Sequence, residues 1–132
     1  MGTQLTGSWS NTAWDEKEYD AKEGENKLVT VKMKAKYEGS LDGESTVDYL
    51  MVYCPDGTGV AVGLERFIGS VDGKQGSFTL KHDGTFTPKD VTMHAEIVKG
   101  SGTGALAGIQ GSRSEVLAGH GPYPYDYTVS FE

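Results

Sequence analysis

The sequence predicts an all-β protein built as a single antiparallel β-barrel of about eight strands. Apolar and polar residues alternate with a period of two over many short segments, which is the pattern of half-buried strands. No segment has a sustained helical period, and pairs of aspartate and glycine, which form tight turns, recur along the chain. A barrel is favoured over a sandwich because closure removes unpaired strand edges and eight strands leave room for one small ligand.

The alternation assigns the strands in chain order. In the segment Val29–Tyr37 the apolar side chains share one face, while Lys32, Lys34 and Lys36 share the other. Such a strand has one face in the core and one in water. The charged stretch Asp15–Glu25 is the one helix candidate, and it reads equally well as a loop. The predicted strands are Thr3–Trp14, Val29–Tyr37, Ser45–Cys54, Val60–Ile68, Gly76–His82, Val91–Val98, Ser112–Ala118 and Tyr123–Glu132.

Four aspartate–glycine pairs predict four tight turns between these strands, because glycine adopts the left-handed backbone that such turns require. The pairs begin at Asp42, Asp56, Asp72 and Asp83. Two of them recur in a longer frame, GSLDG at 39–43 and GSVDG at 69–73. We interpret the repeat as two similar hairpins rather than a solenoid, because the period does not continue.

The composition indicates one soluble globular domain over residues 1–132, with 36% hydrophobic and 23% charged residues. A formal net charge of -7 disfavours nucleic acids and anionic membrane surfaces as partners. No apolar run approaches the roughly 18 residues of a membrane-spanning helix, and the first residues lack the features of a secretion signal. The lone Cys54 cannot form an internal disulfide, so we expect a reducing, cytoplasmic location.

Residues 100–111, GSGTGALAGIQG, contain a glycine pattern similar to that of dinucleotide-binding loops. Such a loop needs a strand before it, a helix after it and an acidic residue about 20 positions further on. The residues that follow, GSRSEVLAGHG, have no helical period, and the chain ends too soon for the second half of such a fold. We therefore interpret the glycines as a turn and bulge that bend one barrel strand, and we predict no cofactor.

The same segment resembles the glycine-rich segment that allene-oxide-cyclase-like barrels share with plant dirigent proteins. Over nearly its full length, the chain is similar to a small bacterial family, domain of unknown function 3224. The resemblance implies an allene-oxide-cyclase-like antiparallel barrel and almost nothing about a reaction, because one fold serves many functions. The matching segments are AWDEKEY (13–19), YEGSLDGES (37–45), YLMVY (49–53), VGLER (62–66), GSFTLKH (76–82) and YDYTVSFE (125–132).

The strand VAVGLERFI, residues 60–68, carries one charge on each of its apolar faces, Glu65 on one and Arg66 on the other. Whichever face points inward places an ionisable group among hydrophobic neighbours. Desolvation raises the pKa of a carboxyl group there, which would suit Glu65 to general acid–base catalysis. Arg66 could instead hold a ligand carboxylate through paired hydrogen bonds. The alternative is that one of these two charges points outward into solvent and the inward one belongs to a structural ion pair.

Histidine supplies a second catalytic candidate. His82 follows Phe78 and Leu80 along the apolar face of its strand, where it could act as a general base near neutral pH. The alternative is a hydrogen-bonded residue at the end of a hairpin. His94 lies on the polar face of its segment and His120 lies in a loop, so we expect both to be exposed. The three histidines lack metal-ligand spacing, and no metal site is predicted.

Aromatic side chains recur on the apolar strand faces, and five of them are assigned to ligand binding. A pocket for a flat or lipid-like molecule needs a large apolar surface with a few polar groups, and phenol hydroxyls supply those groups. The alternative is that these side chains pack in the core. The five are Trp14, Tyr49, Tyr53, Phe78 and Tyr125.

Three functions remain open on these observations. The first is binding of a small hydrophobic or amphipathic metabolite inside the barrel. The second is a cofactor-free isomerase, cyclase or lyase, in which Glu65 or His82 would move a proton. The third is a structural or interaction module whose barrel is filled by its own side chains. Analogy with related barrels adds the expectation of a homo-oligomer.

Overall fold

Eight antiparallel strands form one closed barrel in the computed structural model, which describes residues 2–21, 24–118 and 121–131. Each strand pairs with the next one along the chain, and β8 pairs with β1 to close the sheet. The predicted all-β barrel is therefore confirmed. The strands are β1 (Thr3–Ala21), β2 (Lys27–Gly39), β3 (Leu41–Tyr53), β4 (Gly59–Val71), β5 (Lys74–Phe86), β6 (Asp90–Ile97), β7 (Ile109–Ala118) and β8 (Tyr123–Phe131).

The first strand is longer than the sequence predicted. Residues 15–21, expected as a helix or a loop, continue β1 and pair with β2 as far as the Ala21–Lys27 pair. The side chains of residues 15–20 are exposed, so apolar burial does not define this part of the strand. Pairing with β2 defines it instead, together with a 3.1 Å ion pair between Glu18 and Lys27. The helix-or-loop prediction is therefore wrong for residues 15–21, whereas residues 24 and 25 lie in the turn that follows and residues 22 and 23 lie outside the described residues.

Two of the four predicted turns are correct. Asp72 and Gly73 form the β4–β5 turn with φ angles of 48° and 84°, and residues 56 and 57 lie in the β3–β4 turn. The pairs at 42–43 and 83–84 instead lie inside β3 and β5. At the first of these, Gly43 pairs with Gly69 so closely that a Cβ on Gly43 would lie 2.8 Å from the Gly69 Cα. Glycine here serves the close approach of two strands rather than a turn.

The barrel interior is filled at one end and hollow at the other. Along β2 the apolar side chains point inward and the lysines point outward, as the alternation predicted. The filled end lies beneath the β2–β3 and β4–β5 turns. The side chains that pack it are Leu5, Leu41, Phe67, Val71, Phe78, Leu106, Ile109, Tyr125 and Tyr127, all of them buried.

The glycine-rich segment forms the connection between β6 and β7 at this filled end. β6 pairs with β5 only from Leu80 to Phe86, which leaves the first half of β5 without a strand partner on that side. The connection takes that place: the Thr103 amide donates to the Ser77 carbonyl at 2.9 Å, and the Ser77 amide donates to Thr103 Oγ1 at 3.1 Å. A 3₁₀ turn, Gly104–Leu106, then inserts Leu106 into the interior. The segment thus completes the edge of β5, and strand β7 follows it.

No helix among the described residues is long and apolar enough to cross a membrane.

We predict that Leu106→Ala lowers the free energy of unfolding by about 2–5 kcal/mol, because it leaves a cavity in the filled end. Urea denaturation measures the change. Val116→Ala is the matched control, since Val116 is 68% exposed on the outer face of β7 and its truncation removes little buried surface. An equal loss in both variants would show that Leu106 does not contribute as a core residue.

Candidate functional site

A cavity of ≈440 Å³ opens at the end of the barrel opposite the filled one, beside the β5–β6 turn. Its walls are largely aromatic and aliphatic, and a cluster of ionisable side chains lies at its inner end. The mouth is formed by exposed residues of the turn, among them Thr87, Pro88 and Lys89. The principal wall residues are Trp9, Trp14, Met33, Tyr37, Tyr49, Met51, Ala61, Phe86, Met93, Leu117 and Tyr123, and the inner ionisable residues are Glu65, His82, Arg113 and Glu115.

Glu65 is the centre of the ionisable cluster. It points inward because side chains alternate along β4, and it is 2% exposed. The Tyr37 hydroxyl on β2 donates to Glu65 Oε2 at 2.6 Å, and His82 Nε2 on β5 lies 2.6 Å from Glu65 Oε1. On the other side of the ring, His82 Nδ1 lies 3.5 Å from the Tyr49 hydroxyl.

The pKa of Glu65 is lower than the sequence predicted. Burial by itself raises this pKa, as expected for a carboxyl group among apolar neighbours. The hydrogen bond from His82, the positive charge of Arg113 and the Tyr37 hydroxyl outweigh burial, and they lower the pKa to about 2. Glu65 is therefore ionised throughout the neutral range. The prediction of a raised pKa for Glu65 is wrong, because partners on three other strands stabilise the charge.

Arg113 lies on β7 with its guanidinium buried in the same cluster, only 4% exposed. Its Nη2 lies 3.7 Å from Glu65 Oε1, and its Nε lies 3.3 Å from Glu115 Oε1. The guanidinium carbon also lies 4.8 Å from the ring centre of Tyr127 and 5.6 Å from that of Tyr37. Cation–π contacts of this kind help to keep the buried cation charged. Neither Nε nor Nη1 has a hydrogen-bond partner with good geometry among the described residues.

Glu115, two positions further along β7, is the second carboxyl group of the cluster. It accepts a hydrogen bond from Trp9 Nε1 at 3.2 Å and faces Arg113. Burial raises its pKa; Arg113 and the Trp9 hydrogen bond lower it, and the charge of Glu65 raises it again. The net effect is a raised pKa, opposite to that of Glu65. The two carboxyl groups thus differ in proton affinity although they share one cation.

The structure brings four of the predicted site residues together. Glu65, His82 and Tyr49 meet at the inner end of the cavity, joined by the hydrogen bonds described above. Trp14 lines the cavity further out, where its side chain is 49% exposed. These four are the predicted residues that a molecule in the cavity would contact.

The other four do not line this cavity. Arg66 is exposed on the outer face, because it alternates with the inward Glu65. Phe78 packs against Phe67 in the filled end, with ring centres 5.2 Å apart. Tyr125 is also buried there, and its hydroxyl accepts from the Leu41 amide at 2.8 Å.

Tyr53, the fourth of these residues, lies at the end of β3. Its ring contacts Phe86, with ring centres 5.0 Å apart, and its hydroxyl donates to Glu16 at 3.1 Å. Phe86 does line the cavity, so Tyr53 packs against a wall residue. Tyr53 is therefore one residue removed from the cavity.

Arg113 and Glu115 were missed by the sequence analysis, although a usable signal was present. Ile109, Arg113, Glu115 and Leu117 share one parity along β7, so two charges interrupt an otherwise apolar face. The same interruption singled out Glu65 on β4. Fewer apolar residues flank the charges on β7 than flank Glu65 on β4, so the interruption of the apolar face is less evident there.

The remaining histidines lie apart from the cluster. His94 is exposed on β6, and its Nδ1 lies 3.0 Å from Ser114 Oγ. His120 lies outside the described residues, as does Glu132 at the end of the last predicted strand. Within the described ranges, no group of three or more His, Cys, Asp or Glu side chains is arranged to hold a metal ion.

We predict that Glu65→Gln lowers the free energy of unfolding at pH 7 by about 3 kcal/mol, because Arg113 then keeps a buried charge without its carboxylate partner. The pKa of Glu65 is lower in the folded state, so its contribution is present above the ordinary pKa near 4.5 and disappears as the pH falls towards about 2. The difference between the two proteins should therefore narrow from pH 5 downward.

Urea denaturation of both proteins at pH 7, 5, 4 and 3 measures this difference. Glu44→Gln is the control, since Glu44 is exposed on the outer face of β3. A difference that stays constant from pH 7 to pH 3 would contradict an ionised, stabilising Glu65.

Comparison with known proteins agrees with the resemblance seen in the sequence. Residues 5–129 match the family described as "Protein of unknown function (DUF3224)". A crystal structure at 1.84 Å of a protein with unknown function from the DUF3224 family of Shewanella oneidensis MR-1 is 26% identical to this chain, with a TM-score of 0.81. The similarity covers 100% of this chain and 99% of that chain. No curated protein matches the sequence. The chain therefore belongs to the DUF3224 family.

Proposed function

We propose that this protein binds a small amphipathic molecule inside the open end of its barrel. The observation that carries the proposal is one cavity with apolar aromatic walls and an ionisable cluster at its inner end. Its volume of ≈440 Å³ falls in the range of small-molecule sites. Apolar walls supply affinity, and a few polar groups fix the orientation of the ligand.

The walls favour a molecule with a flat apolar body. Trp9 and Tyr123 line the cavity with ring centres 4.8 Å apart, and Trp14 lies nearer to solvent. Rings in this arrangement offer both faces and edges for offset stacking and edge-to-face contact with a ligand ring. The body would lie along these side chains, and the polar end would reach the cluster.

A barrel filled by its own side chains, the third function open from the sequence, fits only the closed end. There the interior is packed by buried apolar residues, and Leu106 inserts from the β6–β7 connection. At the open end the inward residues beside the cluster include the small Ala61 and the unbranched Met51. These residues leave space where larger ones would fill it, which supports binding over a purely structural role.

A cofactor-free isomerase, cyclase or lyase is the second candidate function. The observation that favours it is the pair of carboxyl groups with opposite pKa shifts around Arg113. Glu65 remains ionised, so a proton would move through His82 or Glu115, and Glu65 would orient His82 and balance positive charge. A pH–rate profile on a substrate found by binding would test this assignment.

Self-association is proposed through the outer surface of β3 and β4. Five apolar side chains are exposed there, and we name them the β3–β4 apolar face: Leu50, Val60, Val62, Leu64 and Ile68. Leu50 and Val62 are cross-strand partners, so the surface is continuous over two strands. Arg66 is exposed between Leu64 and Ile68 on the same strand face, and the aliphatic stem of an arginine can add to such a surface. Contiguous exposed apolar surface of this kind is typical of protein–protein contacts.

The charges beside this face fit a second copy of the same chain. Asp48 and Lys81 flank Leu64 on either side, in one row across β3, β4 and β5. A two-fold axis that runs parallel to β4 and between the two copies would bring their Leu64 side chains into contact. It would place Asp48 of each copy opposite Lys81 of the other. The same surface is then complementary to itself, as a symmetric dimer requires.

A cytoplasmic location is proposed from the state of the cysteine. Cys54 is a free thiol at the end of β3 and is partly exposed. A free thiol in this position persists in a reducing compartment.

We predict that the neutral fluorescent probe N-phenyl-1-naphthylamine binds the wild-type protein with a rise in its fluorescence. Ala61→Leu should weaken this binding at least ~10-fold, because added methyl groups occupy the cavity beside the cluster. Fluorescence titration measures both affinities. Val60→Leu is the matched control, since Val60 is the outward neighbour of Ala61. Absence of binding by this probe and by a broad library of apolar molecules would overturn the proposed function.

We predict that the protein is dimeric at micromolar concentration and that Leu64→Asp makes it monomeric. Asp48→Lys alone and Lys81→Asp alone should each weaken the dimer, and the double exchange should restore it, because the ion pairs re-form with reversed signs. Sedimentation velocity over a concentration series measures the dissociation constant. Val116→Asp, on the outer face of β7, should leave the dimer intact. A monomeric wild type, or equal disruption by Val116→Asp, would contradict this interface.

A further inference from the structure

Glu115 is the member of the ionisable cluster that is most open to the cavity. Its side chain is 6% exposed, and Glu115 lines the cavity. The side chains of Glu65, His82 and Arg113 are covered, with exposed fractions of only 1% or 2%. The ionisable surface that a ligand meets at the inner end of the cavity therefore belongs mainly to a carboxyl group.

The two oxygens of this carboxyl group differ in their contacts. Oε1 accepts a hydrogen bond from Trp9 Nε1 at 3.2 Å and lies 3.3 Å from Arg113 Nε. Oε2 has no hydrogen-bond partner in the described part of the chain, yet it is not one of the unpartnered polar atoms that are closed to solvent there. The exposed surface of Glu115 thus includes Oε2. A carboxylate oxygen accepts up to two hydrogen bonds, so Oε2 is free to accept from a ligand.

The charges around Glu115 favour a positive partner for it. The guanidinium of Arg113 is shared with a second carboxylate, Glu65, at 3.7 Å. Arg113, His82 and the Trp9 hydrogen bond all lower the pKa of Glu115, but burial and the charge of Glu65 outweigh them and the pKa is raised. The positive charge near Glu115 is therefore insufficient even when a charge on His82 is included. A cation beside Oε2 would lower this pKa and keep Glu115 ionised.

The aromatic walls suit a cation as well. Ring faces attract positive charge and offset part of the cost of removing a cation from water. This region of the barrel already holds one cation in that way, because the guanidinium carbon of Arg113 lies 5.7 Å from the ring centre of Trp9 and 5.6 Å from that of Tyr37. The aromatic residues that line the cavity are Trp9, Trp14, Tyr37, Tyr49, Phe86 and Tyr123.

We propose that the cavity takes protonated aromatic amines, whose ammonium group donates a hydrogen bond to Glu115 Oε2 and whose rings lie along the Trp9–Tyr123 wall. This inference rests on the proposed function, because it requires that the cavity binds a small molecule. It adds the charge of the polar group and the side chain that recognises it. The formal net charge of -7 favours the approach of such cations to the protein.

Three naphthalene probes of similar size test the inference on the wild-type protein. 2-(2-Naphthyl)ethylamine carries an ammonium group, 2-(2-naphthyl)ethanol carries a neutral hydroxyl, and 2-naphthylacetate carries a carboxylate. Affinities are measured by isothermal titration calorimetry at pH 8. We expect the amine to bind at least ~10-fold more tightly than the alcohol, the effect of one hydrogen bond between charged groups. We expect the carboxylate to bind more weakly than the amine, because its charge has the same sign as that of Glu115.

Variants assign the preference to the side chain. Glu115→Gln keeps the size of the side chain and an oxygen that can accept from Trp9, but it removes the charge. It should bring the affinity for the amine close to that for the alcohol and leave the affinity for the alcohol nearly unchanged. Glu44→Gln is the matched control, because it makes the same change of net charge on the outer face of β3 and should leave the preference intact. Circular dichroism and urea denaturation establish that each variant is folded. If Glu115→Gln does not fold, the wild-type ratios alone decide the question.

The outcomes separate this inference from the proposed function. If none of the three probes binds and N-phenyl-1-naphthylamine does not bind either, the proposed function itself fails. If the amine and the alcohol bind equally, or if the carboxylate binds most tightly, the cavity binds ligands but the inference is overturned. It is also overturned if a folded Glu115→Gln variant retains the full preference for the amine.

Discussion

The open end of this barrel depends on one buried carboxylate. Glu65 on β4 accepts from Tyr37 on β2, contacts His82 on β5 and balances Arg113 on β7. A carboxylate in an apolar interior is costly unless its partners are all present, so the four residues form a set that is stable only when complete. The set draws on four of the eight strands, and it holds the wall of the barrel at a defined position around the cavity.

The cluster also explains why the barrel is hollow on one side of it. Tyr37 lies at the boundary: its ring contacts Phe67 of the filled end, with ring centres 5.6 Å apart, while its hydroxyl bonds to Glu65. On the far side of the boundary, apolar side chains cannot cover the charged groups without leaving polar atoms unsatisfied. Small or unbranched residues such as Ala61 and Met51 leave that volume open instead. A polar inner end and an unfilled cavity therefore have one physical cause.

Strand β4 separates the two interactions that we propose for the molecule. Its inward residues, Ala61 and Glu65, face the cavity, and its outward residues, Leu64 and Ile68, form part of the β3–β4 apolar face. Because strand side chains alternate, the two surfaces lie on opposite sides of one backbone. Substitutions on the outer surface can then be made without changing the lining of the cavity, and the reverse also holds. This separation allows ligand binding and self-association to be tested independently.

The period-two alternation by itself determined that the chain is all-β and which residues share a face in most strands, and it made Glu65, Arg66 and His82 the polar candidates for a site. The barrel rested in addition on the argument that closure removes unpaired strand edges and on the family resemblance. The alternation could not decide the length of β1, where exposed side chains carry no pattern and pairing with β2 alone defines the strand. It could not distinguish the Asp–Gly pairs that turn the chain from those that let two strands approach.

Only the tertiary structure decided that Glu65 points inward and Arg66 outward, that Phe78 and Tyr125 lie in the filled end, and that Arg113 completes the cluster. The direction of the Glu65 pKa shift was likewise decided only by the tertiary structure. Burial can be read from neighbours along one strand, whereas the charges that outweigh it come from strands that closure of the barrel brings together.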